Sequence, residues 1–230
     1  MNPKKPVHIS EFAEKCLQAL SESGQGSAIS LGGAFGLSHY HEYRATHDID
    51  AWWNEKAGLE QREKVITVIK AVLVKFGLVQ VRAWGDVTSI DLQQEGRAVF
   101  SFQIAMRSAL LEHSSPSPWP GIEVDSFSDL VASKMSALIE RGAPRDFRDI
   151  YSLCLNKLIS PKECWELWGE RQTLIHGNAD TARAKIAIST HLERIELHRP
   201  LKNIQGVAEQ EEARKVRQWY TTEFQNAIMG

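Results

Sequence analysis

Cysteine is scarce in this 230-residue chain: Cys16, Cys154 and Cys164 are an odd number with no CxxC pair. That argues against a disulfide framework and a thiolate zinc centre, and it fits a reducing cytoplasm. Net charge is also nearly absent. At a formal −2 nothing draws the whole molecule to nucleic acid, so any such contact needs a local basic patch. Long apolar runs are missing: no window approaches a membrane span, and "MNPKKPVHIS" has no apolar signal core. A cytoplasmic protein without a membrane partner is expected. There is no HExxH string. His39 and His41 are i, i+2 and point apart on a helix, so with His47 they make no convincing zinc set.

What is present suits one large domain or two small ones. Hydrophobic residues are 43% of the chain and charged residues 24%, enough to bury a real core. "ISEFAEKCLQALSES" predicts an amphipathic helix capped by Ser10, and "SAISL" a short strand. "GAFGLSHYHEYR" predicts a helix, "HDIDAWW" a strand, and "LEQREKVITVIKAVLVKFG" a helix stopped by Gly77. Three strands are expected in "LVQVRAW", "VTSIDLQQ" and "AVFSFQIAM". The turn-rich "EHSSPSPWPG" is the candidate boundary between an α/β core, 1–115, and a helical C-terminal part, 116–230. Beyond it come a helix opened by a capping box from Ser126 to Asp129, a helix opened by Pro144, and three more near 161–171, 180–195 and 208–227. Strands followed by helices predict an α+β chain.

The chemistry gathers around two adjacent glycines and two aspartates. Asp48 and Asp50 are i, i+2 in a strand and face one side. Carboxylates held that close repel unless a cation lies between them, and a hard divalent ion such as Mg²⁺ suits carboxylate oxygens. The pair alone would also fit a polar strand edge facing water. Gly32 and Gly33, between a strand and a helix, shift the balance. Without a Cβ they let a phosphate approach the backbone, and the following helix offers free N–H groups there. Asp91 alternates with apolar residues in "VTSIDLQQ" and is the candidate third carboxylate, or else a solvent-facing strand residue.

Two further charges fall on apolar faces. Lys134 sits in the arc of Phe127, Leu130, Val131 and Leu138, and Asp146 sits between Leu153 and Ile150 on the next helix. They either pair with each other in the interior or line a cleft where Lys134 meets a phosphate. The seven tryptophans are expected mainly in the core rather than as base-stacking platforms. Lys4, Lys5, Arg214, Lys215 and Arg217 read first as solvated surface and second as RNA contacts.

Three segments together resemble the AbiEii family of nucleotidyltransferase-like toxins, within the DNA polymerase β-type superfamily. They are "LGGAFGLSHYHEYRATHDID", the isolated "SIDL", and "SFSDLVASKMSALIERGAPRDFRDIYSL", whose lysine-to-Arg-Asp spacing is the most specific. The resemblance implies a nucleotidyltransferase-type mixed sheet with flanking helices, and a C-terminal helical part that closes the cleft. It assigns Gly32 and Gly33 to the phosphate-holding turn, and Asp48 and Asp50 to the metal. Asp91 becomes a third carboxylate, Lys134 the nucleotide-contacting lysine and Asp146 a further functional acid. Arg44 and Thr46 match positions beside the nucleotide. Gly33 departs from the serine found in many relatives, and Trp52–Trp53 is bulkier than usual there.

The implied reaction is Mg²⁺-dependent (or Mn²⁺-dependent) transfer of a nucleoside monophosphate from an NTP to an RNA acceptor, expected to be tRNA. The protein would then be a toxin neutralised by an antitoxin protein. Nucleotidylation of a protein side chain is the rival within the same chemistry. A non-catalytic module that keeps the fold and binds a nucleotide or a partner is the rival outside it.

Overall fold

A computed structural model describes residues 1–228, so the last two residues of the 116–230 part lie outside it. The expected mixed sheet with flanking helices is what forms. It has seven strands: β1 (Ile29–Gly32), β2 (Ile49–Trp53), β3 (Leu78–Trp84), β4 (Val87–Gln94), β5 (Arg97–Met106), β6 (Ser115–Pro116) and β7 (Glu123–Val124). They lie in the order β3-β4-β5-β2-β1-β7-β6. The β1–β7 and β2–β5 pairs are parallel and the others antiparallel.

Among the described residues there are eight α-helices: α1 (Glu11–Glu22), α2 (Gly33–Ser38), α3 (Leu59–Leu73), α4 (Phe127–Glu140), α5 (Pro144–Leu155), α6 (Pro161–His176), α7 (Thr181–His198) and α8 (Val207–Trp219). By compactness the chain divides into two units, Met1–Leu130 and Val131–Gly230.

Alternation decides which face of the sheet is greasy. Ile49 and Ala51 on β2, Ile90 and Leu92 on β4, and Phe100, Phe102 and Ile104 on β5 are buried. They join one core with Ala13, Cys16, Leu17 and Leu20 of α1 and Val65, Ile69 and Leu73 of α3. Burying a side chain of this size is worth about 1.5–3 kcal/mol. The residues between them point to the opposite face.

Two local expectations change. The helix expected through Arg44 ends at Ser38. There the Ser38 hydroxyl donates to the Phe35 carbonyl at 2.6 Å, and the His39 Nδ1–H bonds the same oxygen at 2.9 Å. Side chains that bond the local backbone compete with helix continuation. His39 then packs edge-on against Phe35 and Trp119, which takes it out of any metal set. The turn-rich segment 112–121 contributes β6, which pairs with β7 and so joins the far edge of the sheet.

In the second unit, Tyr220 donates its hydroxyl hydrogen to the Phe147 carbonyl, and Trp165, Trp219 and Tyr220 cluster around Phe224. Among the described residues no helix is long and apolar enough to cross a membrane.

Candidate active site

Cross-strand partners share a sheet face, so the register alone assembles a polar surface. One row runs Gly32–Asp50–Gln103–Ser89–Arg82 across β1, β2, β5, β4 and β3. Beside it Ser101, Asp91 and Gln80 form a second row. Asp48 reaches that row from just before β2, its Oδ1 accepting the Ser101 backbone N–H at 3.0 Å. On the other side run Ser30, Trp52, Ala105, Val87 and Trp84. Asp48 and Asp50 therefore share a face, as the i, i+2 spacing requires, with Asp48 exposed and Asp50 half-buried.

The glycine turn lies against this surface. Gly32 caps α2, and Gly33 has a φ of +57°. A Cβ on Gly33 would overlap the Asp50 carboxylate, and one on Gly32 would overlap the Trp52 indole. Gly33 is therefore demanded twice, by a backbone conformation that L-residues avoid and by the carboxylate pressed on it. The second overlap links Gly32 to the unusual Trp52, whose ring covers it. With only six residues, α2 is under two turns long, so its dipole is weaker than the sequence implies.

Asp91 does not join the aspartate pair as an open ligand. Its Oδ1 accepts hydrogen bonds from Ser89 at 2.7 Å and Ser101 at 2.8 Å, and its Oδ2 accepts Arg82 Nε at 3.0 Å and Nη2 at 2.5 Å. Burial opposes its ionisation, but these donors and the guanidinium charge outweigh it and hold the carboxyl below its usual range. Among the described residues no three His, Cys, Asp or Glu side chains are grouped as a metal cage. Two carboxylates nevertheless fit Mg²⁺, which is commonly held by one or two carboxylates together with substrate phosphates.

Arg44 donates to the Tyr43 hydroxyl at 3.2 Å, and Thr46 lies on the same irregular approach to β2. Sequence reasoning missed a further, largely buried ion pair on this unit. Arg107 is clamped on buried Asp125 by two hydrogen bonds, at 2.9 and 2.6 Å, bonds Ser30, and lies 5.9 Å from the Trp52 ring. Burial raises the Asp125 pKa more than Arg107 lowers it.

In the second unit Lys134 is 6% exposed. Its Nζ lies 2.6 Å from Asp149 and 4.0 Å from Asp146. Asp146 is taken by Arg141 through two 2.8 Å hydrogen bonds. Lys134, Asp146 and Asp149 are buried, and Arg141 reaches Asp146 from an exposed side chain, so two cations face two carboxylates. Asp149 had a legible signal: it follows Asp146 by three positions, the spacing of one helix face.

A sequence profile for the family described as "Nucleotidyl transferase AbiEii toxin, Type IV TA system" matches residues 15–221. Among solved structures, a candidate nucleotidyltransferase from H. pylori is similar at 18% identity and a TM-score of 0.50, covering 94% of this chain and 98% of that one. A STING-associated CdnE c-di-GMP synthase from Capnocytophaga granulosa aligns at 9% identity and a TM-score of 0.26, covering 94% of this chain and 83% of that one, too loose to indicate a common fold. Among curated proteins no relative matches.

Proposed function

Since this chain belongs to the AbiEii family of nucleotidyl transferase toxins, and so is a nucleotidyltransferase, we propose that it moves a nucleoside monophosphate from an NTP to an RNA acceptor, with tRNA as the expected class. Mg²⁺ assists, in the cytoplasm, and an antitoxin protein restrains the activity. The observation that carries the reading is the Asp50 carboxylate pressed on the Gly33 turn, with Asp48 on the same face. A triphosphate on that turn would put anion beside anion. The arrangement makes sense with a divalent cation shared between carboxylates and phosphates.

The chain's own residues then have distinct tasks. The Gly32–Gly33 backbone gives the phosphates close approach. Asp48 and Asp50 would hold the metal, whose chemistry when bound would be to offset charge on the phosphates and the attacking oxygen. Ser101 ties Asp48 to Asp91, donating its N–H to one and its hydroxyl hydrogen to the other. In this reading Asp91 positions the pair and is a metal ligand only where Arg82 releases it. Arg44 and Thr46 flank the nucleotide. Lys134 is the lysine the family resemblance assigns to the nucleotide; within its own unit its charge is met by Asp149 and Asp146.

The test is incubation with each labelled NTP, Mg²⁺ and total cellular RNA. Label is expected in RNA with the wild type and in nothing with Asp48→Asn or Asp50→Asn, both of which should stay folded. Label in protein alone would replace the acceptor assignment. Full activity in either mutant would end the metal assignment.

A further inference from the structure

Six of the seven tryptophans are buried or half-buried, and Trp84 is the exposed one, at 51%. An exposed indole offers a flat π face on which another ring can stack. Its place is specific. Trp84 ends β3, the outer strand of the sheet, and pairs with Val87 across the two-residue turn Gly85–Asp86, where Gly85 has a φ of +52°. Such a tight hairpin holds the ring on a fixed support.

Trp84 and Arg82 point to the face that carries Asp48 and Asp50, Arg82 in the row of Asp50 and Trp84 in the row of Trp52. The Arg82 guanidinium lies 5.9 Å from the Trp84 ring, is oriented by its bonds to Asp91, and is still 56% exposed along the side chain. Three strand spacings separate β2 from β3. At about 4.8 Å each they span ~14 Å, roughly two to three nucleotides of an extended strand.

Resting on the nucleotidyl-transfer reading above, we propose that Trp84 and Arg82 form the acceptor platform: a single-stranded RNA 3′ end lies along this face, its terminal hydroxyl at the Asp48–Asp50 pair. A base two or three nucleotides upstream stacks on Trp84, and Arg82 meets the phosphate beside it. An aromatic plane next to a guanidinium is what single strands use without sequence readout; here the guanidinium is already oriented by Asp91, so the stacking ring carries most of the contact. Strand addition by a second copy at β3 is the competing use of an edge, and the charged Arg82 and the tight hairpin oppose it.

The experiment measures fluorescence anisotropy of a short 5′-labelled single-stranded RNA with a free 3′ hydroxyl, at fixed salt, on wild type, Trp84→Ala and Trp84→Phe. NTP affinity and solution mass are measured alongside. Trp84→Ala is expected to weaken RNA binding about tenfold or more, Trp84→Phe to recover most of it, and NTP affinity to stay unchanged. Equal RNA binding by Trp84→Ala and wild type would overturn the platform. So would a loss of NTP affinity, or a dimer that becomes a monomer. Wild type that transfers nucleotide only to protein and binds no RNA would overturn the platform while leaving nucleotidyl transfer intact. Wild type that binds RNA through Trp84 but transfers nothing would leave the platform standing and remove the enzymatic reading.

Discussion

At the scale of single residues, Gly33 carries the most constraint. Its φ of +57° would cost a side-chain-bearing residue roughly 1–3 kcal/mol. A Cβ there also meets the Asp50 carboxylate rather than open space. Gly33→Ser is therefore expected to lower the melting temperature and to lose transfer, because the aspartate must swing away. Calorimetry and the labelled-NTP assay on the same sample check both halves. Unchanged stability with full transfer would mean that Asp50 can leave the turn freely. Asp91 shows the opposite situation, a carboxylate whose position is settled by four donated hydrogen bonds, two from serines and two from Arg82.

At the scale of elements, α4 and α5 meet through charge. Lys134 on α4 faces Asp149 and Asp146 on α5, each of the three nearly or wholly buried. Removing one partner of a buried pair strands the other, at a cost of about 3–5 kcal/mol, whereas replacing both with apolar groups is often neutral. Lys134→Met alone is thus expected to destabilise the fold by that amount, and Lys134→Met with Asp149→Leu to recover most of it. The double variant then reports on the nucleotide. An NTP affinity reduced about tenfold, in a protein that melts like the wild type, would identify Lys134 as a phosphate contact. Wild-type affinity in the double variant would leave it a structural cation.

At the scale of the whole molecule, a ligand that binds only the folded state stabilises it by about 2.7 kcal/mol at a hundredfold excess over Kd. In a protein of this size that is a rise of roughly 5–11 °C in Tm. Under the function proposed above, one NTP with Mg²⁺ is expected to produce such a rise, and EDTA to remove most of it, because the phosphates would need the cation to lie beside Asp48 and Asp50. Thermal scans with each of the four NTPs measure this and identify the base at once. An equal rise with EDTA present would place the nucleotide away from the carboxylates.

The sequence by itself determined what depends on neighbours along the chain. Strand alternation put Asp48 and Asp50 on one side and Ile49 on the other, and put Ser89 and Asp91 opposite Ile90 and Leu92. Turn chemistry marked Gly32–Gly33, and helical spacing exposed Lys134 and Asp146 as charges among apolar residues. The tertiary structure decided what depends on strands and helices far apart in sequence. Strand register brought Arg82 onto Asp91 and laid Trp84 beside the aspartate face. The β1–β2 pairing pressed Asp50 and Trp52 onto the two glycines. Helix packing gave Lys134 to Asp149 more closely than to Asp146. Local periodicity fixes the side toward which a residue points. Which partner waits there is settled by register and helix docking, and these follow from burying the whole core at once.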